Sequence, residues 1–386
     1  MKALRSLVDK IKPNFEKGGK LEKFWVVFDG LETFLFVPKH ANHNGVHVRD
    51  GIDLKRTMFT VIIAMIPALL FGMWNVGFQH YAAYGETSTL MDNLIFGAIK
   101  VLPIIIVSYG VGLGIEFLFA GMRGHSINEG YLVTGMLIPL ILPVTVPLWM
   151  VAFASAFTVI IGKEVFGGTG FNIMNPALLA RAFLFFAFPA YMSGEIWVAM
   201  DADKTLVDGF SGATSLVYFD EGLSSMNENI SATDMFFGTI KGSIGETSTL
   251  AILLGGLYLI YTGVGSWRIM TAVFAGGYLM GLLFNLLAGS AYPAMEVPAH
   301  YHLLMGGFAF GAVFMATDPV SAAQTNRGKW MYGLAIGGFT VILRVFNPAY
   351  PEAMMLSILF FNVFAPLIDH IVIQRHIKTR MKSAYQ

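Results

Sequence analysis

Long apolar runs separated by short polar breaks fill most of this chain. They cover about 57–77, 98–120, 129–143, 147–162 and 176–192, and then, beyond a polar interval, 249–265, 268–289, 302–317, 330–346 and 353–373. A straight membrane-spanning helix needs ~20 apolar residues. Several runs are shorter, and Pro139, Pro143, Pro147, Pro176 and Pro319 stand at their ends, where proline interrupts helical hydrogen bonding. The pattern predicts an all-α polytopic membrane protein with about ten transmembrane helices, some broken or half-length.

The polar intervals divide the chain further. Residues 1–55 are mixed and polar, with no apolar core followed by a small-residue cleavage site, so a removed signal peptide is not expected. Within them Leu21, Phe24, Trp25, Val27, Phe28, Leu31, Phe34 and Leu35 recur at helical spacing, which predicts an amphipathic helix on the membrane surface or packed on the protein. The expected units are a cytoplasmic N-terminal region (1–55), a first membrane half (56–192), an extracytoplasmic loop (193–247), a second membrane half (248–373) and a basic cytoplasmic tail (374–386). Orientation follows from Lys and Arg. Arg123, Lys163, Arg268, Arg327 and Lys329 fall in alternate connections, and Arg375, Lys378, Arg380 and Lys382 crowd the tail. All lie on one side if both termini are cytoplasmic. Residues 191–247 hold nine acids and two bases, a balance of 2 − 9 = −7, and their poverty in Lys and Arg fits translocation.

The two halves share an order of anchors. Trp149-Met150, Phe157 to Ile161, Val165-Phe166, Asn175-Pro176-Ala177 and Leu184-Phe185-Phe186 are matched by Trp330-Met331, Phe339 to Leu343, Val345-Phe346, Asn347-Pro348-Ala349 and Leu359-Phe360-Phe361. Five helices per half is an odd number, so the halves are expected to be inverted repeats, an architecture that holds its ligands between the halves.

Composition narrows the chemistry. The chain has 386 residues, 55% hydrophobic and 13% charged, with a formal net charge of +0, so nucleic acid is not an expected partner. It has no cysteine, which excludes disulfides and a self-contained cysteine-ligated iron–sulfur cluster. Its nine histidines show no metal-binding spacing, so no metal site within this chain alone is expected. Redox work would require an organic cofactor or one shared with a partner.

Charges inside or bordering the apolar runs are candidates for function, because burial in a membrane is costly. They are Lys100, Glu116, Glu164, Arg181, Asp318, Arg344, Glu352 and Asp369; a buried ion pair is the structural alternative for each. Glu116 lies well inside its run, after Gly110, Gly112 and Gly114, and its carboxylate suits a hard cation such as sodium. Residues 163–176 place three glycines and two asparagines, Asn172 and Asn175, at a membrane boundary. Irregular backbone there is tolerated only within protein or along a cavity, and a carboxamide offers a donor and an acceptor to the edge of a flavin or quinone ring. Gly277/Gly281, Gly307/Gly311 and Gly333/Gly337 read as helix-packing notches. In the polar interval, Gly212 and Ala213 leave room around the Thr214 hydroxyl.

With Asp208, Ser211, Gly212, Ala213 and Thr214, that interval resembles the D-x-x-[ST]-G-A-T signature of flavinylated membrane redox subunits. The resemblance extends nearly end to end, through His47-Val48-Arg49-Asp50, Asp53 to Arg56, Lys163 to Pro176, Arg181 to Ala187, Gly242 to Glu246, Ala316 to Ser321, Asn347 to Glu352 and Ala365 to Leu367. The chain resembles the B-subunit family of the sodium-translocating NADH:quinone oxidoreductases. The D subunits of ferredoxin:NAD oxidoreductase complexes share the core but lack the N-terminal extension. The resemblance implies a six-subunit complex of the bacterial cytoplasmic membrane that passes electrons from NADH to a quinone and exports sodium. It implies FMN joined through a phosphoester to Thr214, a non-covalent riboflavin near Asn172 and Asn175, and quinone near Gly112. Glu116, Asp318 and Asp369 are implied in ion or quinone coupling. The implied partners are the five other subunits of the complex (A, C, D, E and F), quinone, a flavin transferase and lipid.

Three readings stay open at this point: the sodium-pumping subunit, its ferredoxin-linked relative, and a secondary transporter. Covalent flavin separates the third from the others, and quinone reduction by the purified complex separates the first two.

Overall fold

The structure is a computed structural model and describes residues 2–16, 18–36, 52–124, 130–201, 205–220, 222–289, 292–347 and 352–384. The His47 to Asp50 motif and residues 348–351 of the second Asn-Pro-Ala stretch lie outside the described residues.

Every regular element among them is helical. In chain order these are α1 (Lys2–Ile11), α2 (Trp25–Leu35), α3 (Leu54–Ala83), α4 (Leu90–Arg123), α5 (Tyr131–Ile141), α6 (Leu148–Ile160) and α7 (Pro176–Ala187). Three short helices follow, α8 (Ser215–Asp220), α9 (Leu223–Asn229) and α10 (Ala232–Phe237). Then come α11 (Thr249–Tyr261), α12 (Trp267–Leu287), α13 (Ala299–Leu304), α14 (Phe308–Phe310), a π-turn (Gly311–Met315), α15 (Asn326–Phe346) and α16 (Ala353–Ala384). Six described segments are long and apolar enough to cross a membrane: α3, α4, α6 with its 3-10 extension to Phe166, α12, α15 and α16. The protein is a multi-pass membrane protein.

Local sequence explains the element ends. Thr89 accepts from the Asp92 N–H at 3.3 Å while Asp92 accepts from the Thr89 N–H at 3.0 Å, a reciprocal capping box at the start of α4. The same helix stops at Gly124, whose φ of 67° is the left-handed conformation favoured after a helix. Helix α2 falls within the stretch expected to be helical, with Gly30 and Glu32 buried and Leu31, Phe34 and Leu35 exposed, and α16 carries its helical geometry on into the basic tail.

Two interruptions inside the bundle shape the site. Helix α5 ends after eleven residues, and the carbonyls of Leu140 and Leu142 accept from the Gly245 and Ile244 N–H groups, at 2.7 and 3.3 Å. The irregular 242–246 segment, which turns at Ser243–Glu246, therefore enters the bundle and satisfies backbone that α5 leaves open, as an apolar interior requires. Gly72 makes room for it: a Cβ there would lie 1.9 Å from the Ile244 carbonyl oxygen. The second interruption separates α13 from α14 at Gly306. The freed carbonyls of His302 and Met305 accept from the two terminal nitrogens of Arg344, at 2.7 and 2.9 Å. A buried guanidinium thus does the work that a helix turn does elsewhere.

The glycine notches on α15 are filled by the backbone at Val273 and by the Ala272 methyl group. A Cβ on Gly337 would lie 2.1 Å from the Val273 carbonyl oxygen, and one on Gly276 would lie 2.4 Å from that of Leu334. Helices α12 and α15 touch main chain to main chain, the contact that small residues permit where lipid removes the hydrophobic drive.

Candidate functional site

A cavity of about 270 Å³ lies between α3, α5, the 163–176 stretch, α11 and the π-turn region. Its wall is mostly apolar, with Met58, Val133, Leu137, Leu259 and Phe314 among its residues, and its polar edge holds Lys163, Thr169, Asn172, Asn175 and Asp318. The sequence folds this way because Gly167, Gly168 and Gly170 take φ of 122°, 99° and 93°. L-residues adopt that backbone at a cost, so three glycines let the chain coil tightly before α7.

The polar edge is held in place by pairs. Lys163 Nζ donates to Glu116 Oε1, both side chains being buried. Thr169 Oγ1 approaches the same oxygen at 3.4 Å, while Glu116 Oε2 has no hydrogen-bond partner. Arg123 donates to Glu164 Oε2 at 2.7 Å and to the Glu164 carbonyl at 2.9 Å. Asn172 stands beside Asp318 on the cavity edge and donates to the Met174 carbonyl at 3.1 Å. Asp318 also accepts from the Ser321 hydroxyl. Asn175 caps α7, its Oδ1 accepting from the Ala177 and Leu178 N–H groups, and its Nδ2 reaches the Met315 carbonyl at 3.4 Å.

A second buried cluster lies deeper along α7. Arg181 donates to Glu246 Oε2 at 3.0 Å and to Glu352 Oε1. Arg344 stands nearby on α15. A Cβ on Gly307 would meet Glu246 Oε1 at 2.4 Å, so that glycine is a condition of the carboxylate's position.

The Ser211–Thr214 stretch lies directly before α8. Ser211 Oγ donates to Glu195 Oε1 at 3.3 Å and accepts from the Ala213 N–H at 3.2 Å. Gly212 is pressed against the main chain, since a Cβ there would lie 2.4 Å from the Glu195 carbonyl oxygen. Asp208 is exposed on the turn closed by the Phe210 N–H and the Val207 carbonyl, at 3.1 Å. Thr214 is half-buried and lines a cleft with Ser215, Lys241, Glu246 and Thr247. Lys241 Nζ donates to the Ser211 carbonyl and lies 4.2 Å from the Phe210 ring centroid.

The sequence profile of the NQR2, RnfD, RnfE family matches residues 41–378. The chain belongs to this family. Among its similar relatives is the B subunit of the Na(+)-translocating NADH-quinone reductase of Ectopseudomonas mendocina (strain ymp), 50% identical over 98% of each chain. The protein of the same name from Stutzerimonas stutzeri (strain A1501) is 49% identical, again over 98% of each. That from Chromohalobacter salexigens is 47% identical over 98% of this chain and 96% of its own.

The structure gathers some of the family's expected residues and separates others. Asn172, Asn175 and Asp318 share the cavity, and Glu116 stands behind its Lys163 and Thr169. Gly112 lies away from it, with its open side filled by Tyr131: a Cβ would lie 2.0 Å from that ring. Asp369 is apart as well, accepting from the Gln324 and Thr325 N–H groups at 2.6 and 2.9 Å and fixing the turn before α15. Lys163, Lys241 and Glu246 escaped the sequence reading as site residues. Lys163 registered as a topology charge and as the first residue of the 163–176 stretch, Glu246 in the loop's charge balance and the Gly242 to Glu246 resemblance, and Lys241 in the charge balance alone.

Proposed function

We propose that this chain serves as the B subunit of a sodium-translocating NADH:quinone oxidoreductase in a bacterial cytoplasmic membrane. It would pass electrons through FMN on Thr214 and a bound riboflavin toward quinone, coupled to sodium export, in a complex with the five other subunits (A, C, D, E and F). The observation that carries this reading is the extent of the match. Relatives named as the B subunit cover 98% of the 386 residues. Only about 8 residues (2% of 386) fall outside, so most of the N-terminal extension ahead of the family match at residue 41 is shared. That extension weighs against the ferredoxin-linked alternative.

The cavity supports a flat, largely apolar ring. Its wall would exclude water, while Asn172 and Thr169 would offer hydrogen bonds to a ring edge, with Asp318 beside Asn172. A bound flavin supplies the electron transfer itself. The unpartnered Glu116 Oε2 is an oxygen that a hard cation could use beside the Lys163 pair, and Glu116, Asp318 and Asp369 remain the candidates for coupling. Thr214 would receive FMN from a flavin transferase.

The reading includes ten membrane passes in two inverted halves. The six long segments, the shorter apolar helices α5, α7 and α11, and the broken α13-to-π-turn segment give 6 + 3 + 1 = 10. Both termini then lie in the cytoplasm and the Thr214 stretch outside it. A cysteine replacing Ser224 in this cysteine-free chain is expected to react with an impermeant thiol reagent on intact cells; labelling only after lysis would overturn the orientation. In-gel flavin fluorescence that survives denaturation is expected from the parent and absent from Thr214→Ala. Fluorescence persisting in that variant would remove the assignment.

A further inference from the structure

A small cavity beside Arg181 measures about 20 Å³. Four charged groups line it, Arg181 and Arg344 against Glu246 and Glu352, a balance of 2 − 2 = 0. Much of its remaining wall is apolar, from α7, the π-turn and α16, with Leu178, Met315, Met355 and Ile358 each 4% exposed or less. Among the described residues, two polar atoms of this lining are buried without a hydrogen-bond partner, Arg344 Nε and Glu352 Oε2. The first is a donor and the second an acceptor. A further acceptor is close at hand. Arg181 engages Glu246 through Oε2, while Glu246 Oε1 lies against Gly307, 2.4 Å from where a Cβ would sit. Arg344 reaches the adjoining residue, since a Cβ on Gly306 would lie 3.6 Å from its Nη2. The second Glu246 oxygen and the Arg344 guanidinium therefore meet at the same turn of main chain.

Buried polar groups are rarely left unpaired without cause. A cavity needs about 10–15 Å³ to hold one water, and that water needs two to four polar partners. This cavity has the room and the partners. A cation is a poor occupant, because the lining charges already cancel and the ion would face two guanidinium groups.

We propose that this cavity is a hydration site, holding an ordered water that completes the Arg181 cluster. The water accepts from the Arg344 Nε–H and donates to the Glu246 and Glu352 carboxylates. It joins α15, the 242–246 segment and the start of α16 through one molecule. Arg344, whose terminal nitrogens are committed to the His302 and Met305 carbonyls, enters the same network as Arg181. The site takes a neutral, water-sized ligand and no sodium.

The test images the chain in its assembled complex, in sodium chloride and again in choline chloride. A density peak is expected within about 2.7–3.2 Å of Arg344 Nε and of a Glu246 or Glu352 oxygen, unchanged between the two salts. A map that resolves water elsewhere inside the bundle and none here would overturn the proposal. So would a peak present in sodium alone. A second measurement needs no map. X-ray pulses split bound water into hydroxyl radicals, which oxidise a neighbouring methionine to its sulfoxide. Met315, Met354 and Met355 line the cavity at 2%, 4% and 4% exposure, whereas Met73, away from it, is 6% exposed. Bulk solvent would therefore favour Met73. Bound water should instead make the cavity methionines label about threefold faster or more. Leu178→Phe, which fills the cavity from α7, should bring them down to the Met73 rate. Equal rates in the parent, or rates left unchanged by a folded Leu178→Phe, would overturn the proposal. Should that variant fail to fold, the parent rates and the map decide.

Discussion

Among the described residues, charge buried around Arg181 and charge buried around Lys163 are treated in opposite ways. Around Arg181, the two partner carboxylates and the nearby Arg344 set charge against counter-charge beside only about 20 Å³ of open volume, and Arg344 is committed to backbone carbonyls. Around Lys163, one ion pair borders about 270 Å³ of open cavity, and Asp318 accepts from the Ser321 hydroxyl and the Val320 N–H. The closed cluster joins α7 to the 242–246 segment and to the start of α16, so it serves as a clasp between distant parts of the chain. The open one leaves room for something larger than water that is not protein. Buried charge by itself therefore does not mark a ligand site; buried charge beside unfilled volume does.

The largest effect should come from opening the clasp. Arg181→Met strands Glu246 and Glu352 in the interior and is expected to cost about 3–5 kcal/mol, read as unfolding by SDS titration followed by tryptophan fluorescence. Lys163→Met strands Glu116 too, but the neighbouring cavity can admit water, so its cost should be about 1–3 kcal/mol. Adding Glu116→Gln to Lys163→Met should recover much of that loss, since a neutral amide is far cheaper to bury than an unpaired carboxylate. Equal costs for Arg181→Met and Lys163→Met would erase the distinction between the two clusters. Gly112→Ala probes packing without charge: its methyl would invade the Tyr131 ring, at an expected cost of about 1–3 kcal/mol. In a Tyr131→Leu background the same substitution should cost less than half as much, a double-mutant comparison that fails if the two changes simply add. Asp369→Ala should be mildest, about 1 kcal/mol, with faster hydrogen exchange at the Gln324 and Thr325 amides.

Much of this was legible along the chain. Apolar runs located α3 to α7 and α11 to α16 because membrane burial leaves a one-dimensional signal about 20 residues long; α8, α9 and α10 lie in the polar interval and carried no such signal. The run at 302–317 was visible, but its division into α13, α14 and a π-turn was not, since that break depends on Arg344 reaching back to His302 and Met305. Residues 163–176 announced an irregular, cavity-lining backbone through their glycines and asparagines. The pairings stayed hidden. Glu116 meets Lys163 across 47 positions and Arg181 meets Glu352 across 171, and no local pattern encodes such distances. Asn175 illustrates a different limit. Its carboxamide suggested a ring contact, yet an asparagine directly before Pro176 at a helix start is also a natural cap, and its oxygen is committed to that cap.

The glycine seam between α12 and α15 also governs what can move. Main chain lies in main-chain notches at Gly276 and Gly337, and the short Ala272 side chain fills the notch at Gly333. A slide of one residue in the direction that brings Ile336 to Gly337's place would drive a bulky side chain into the Val273 backbone. The next register that fits brings Gly333 to where Gly337 now sits, four residues or about 6 Å away. The two helices therefore behave like a ratchet with widely spaced teeth. Small thermal displacements cannot accumulate along that line, and any rocking of the second half must carry α12 and α15 together as one rigid beam.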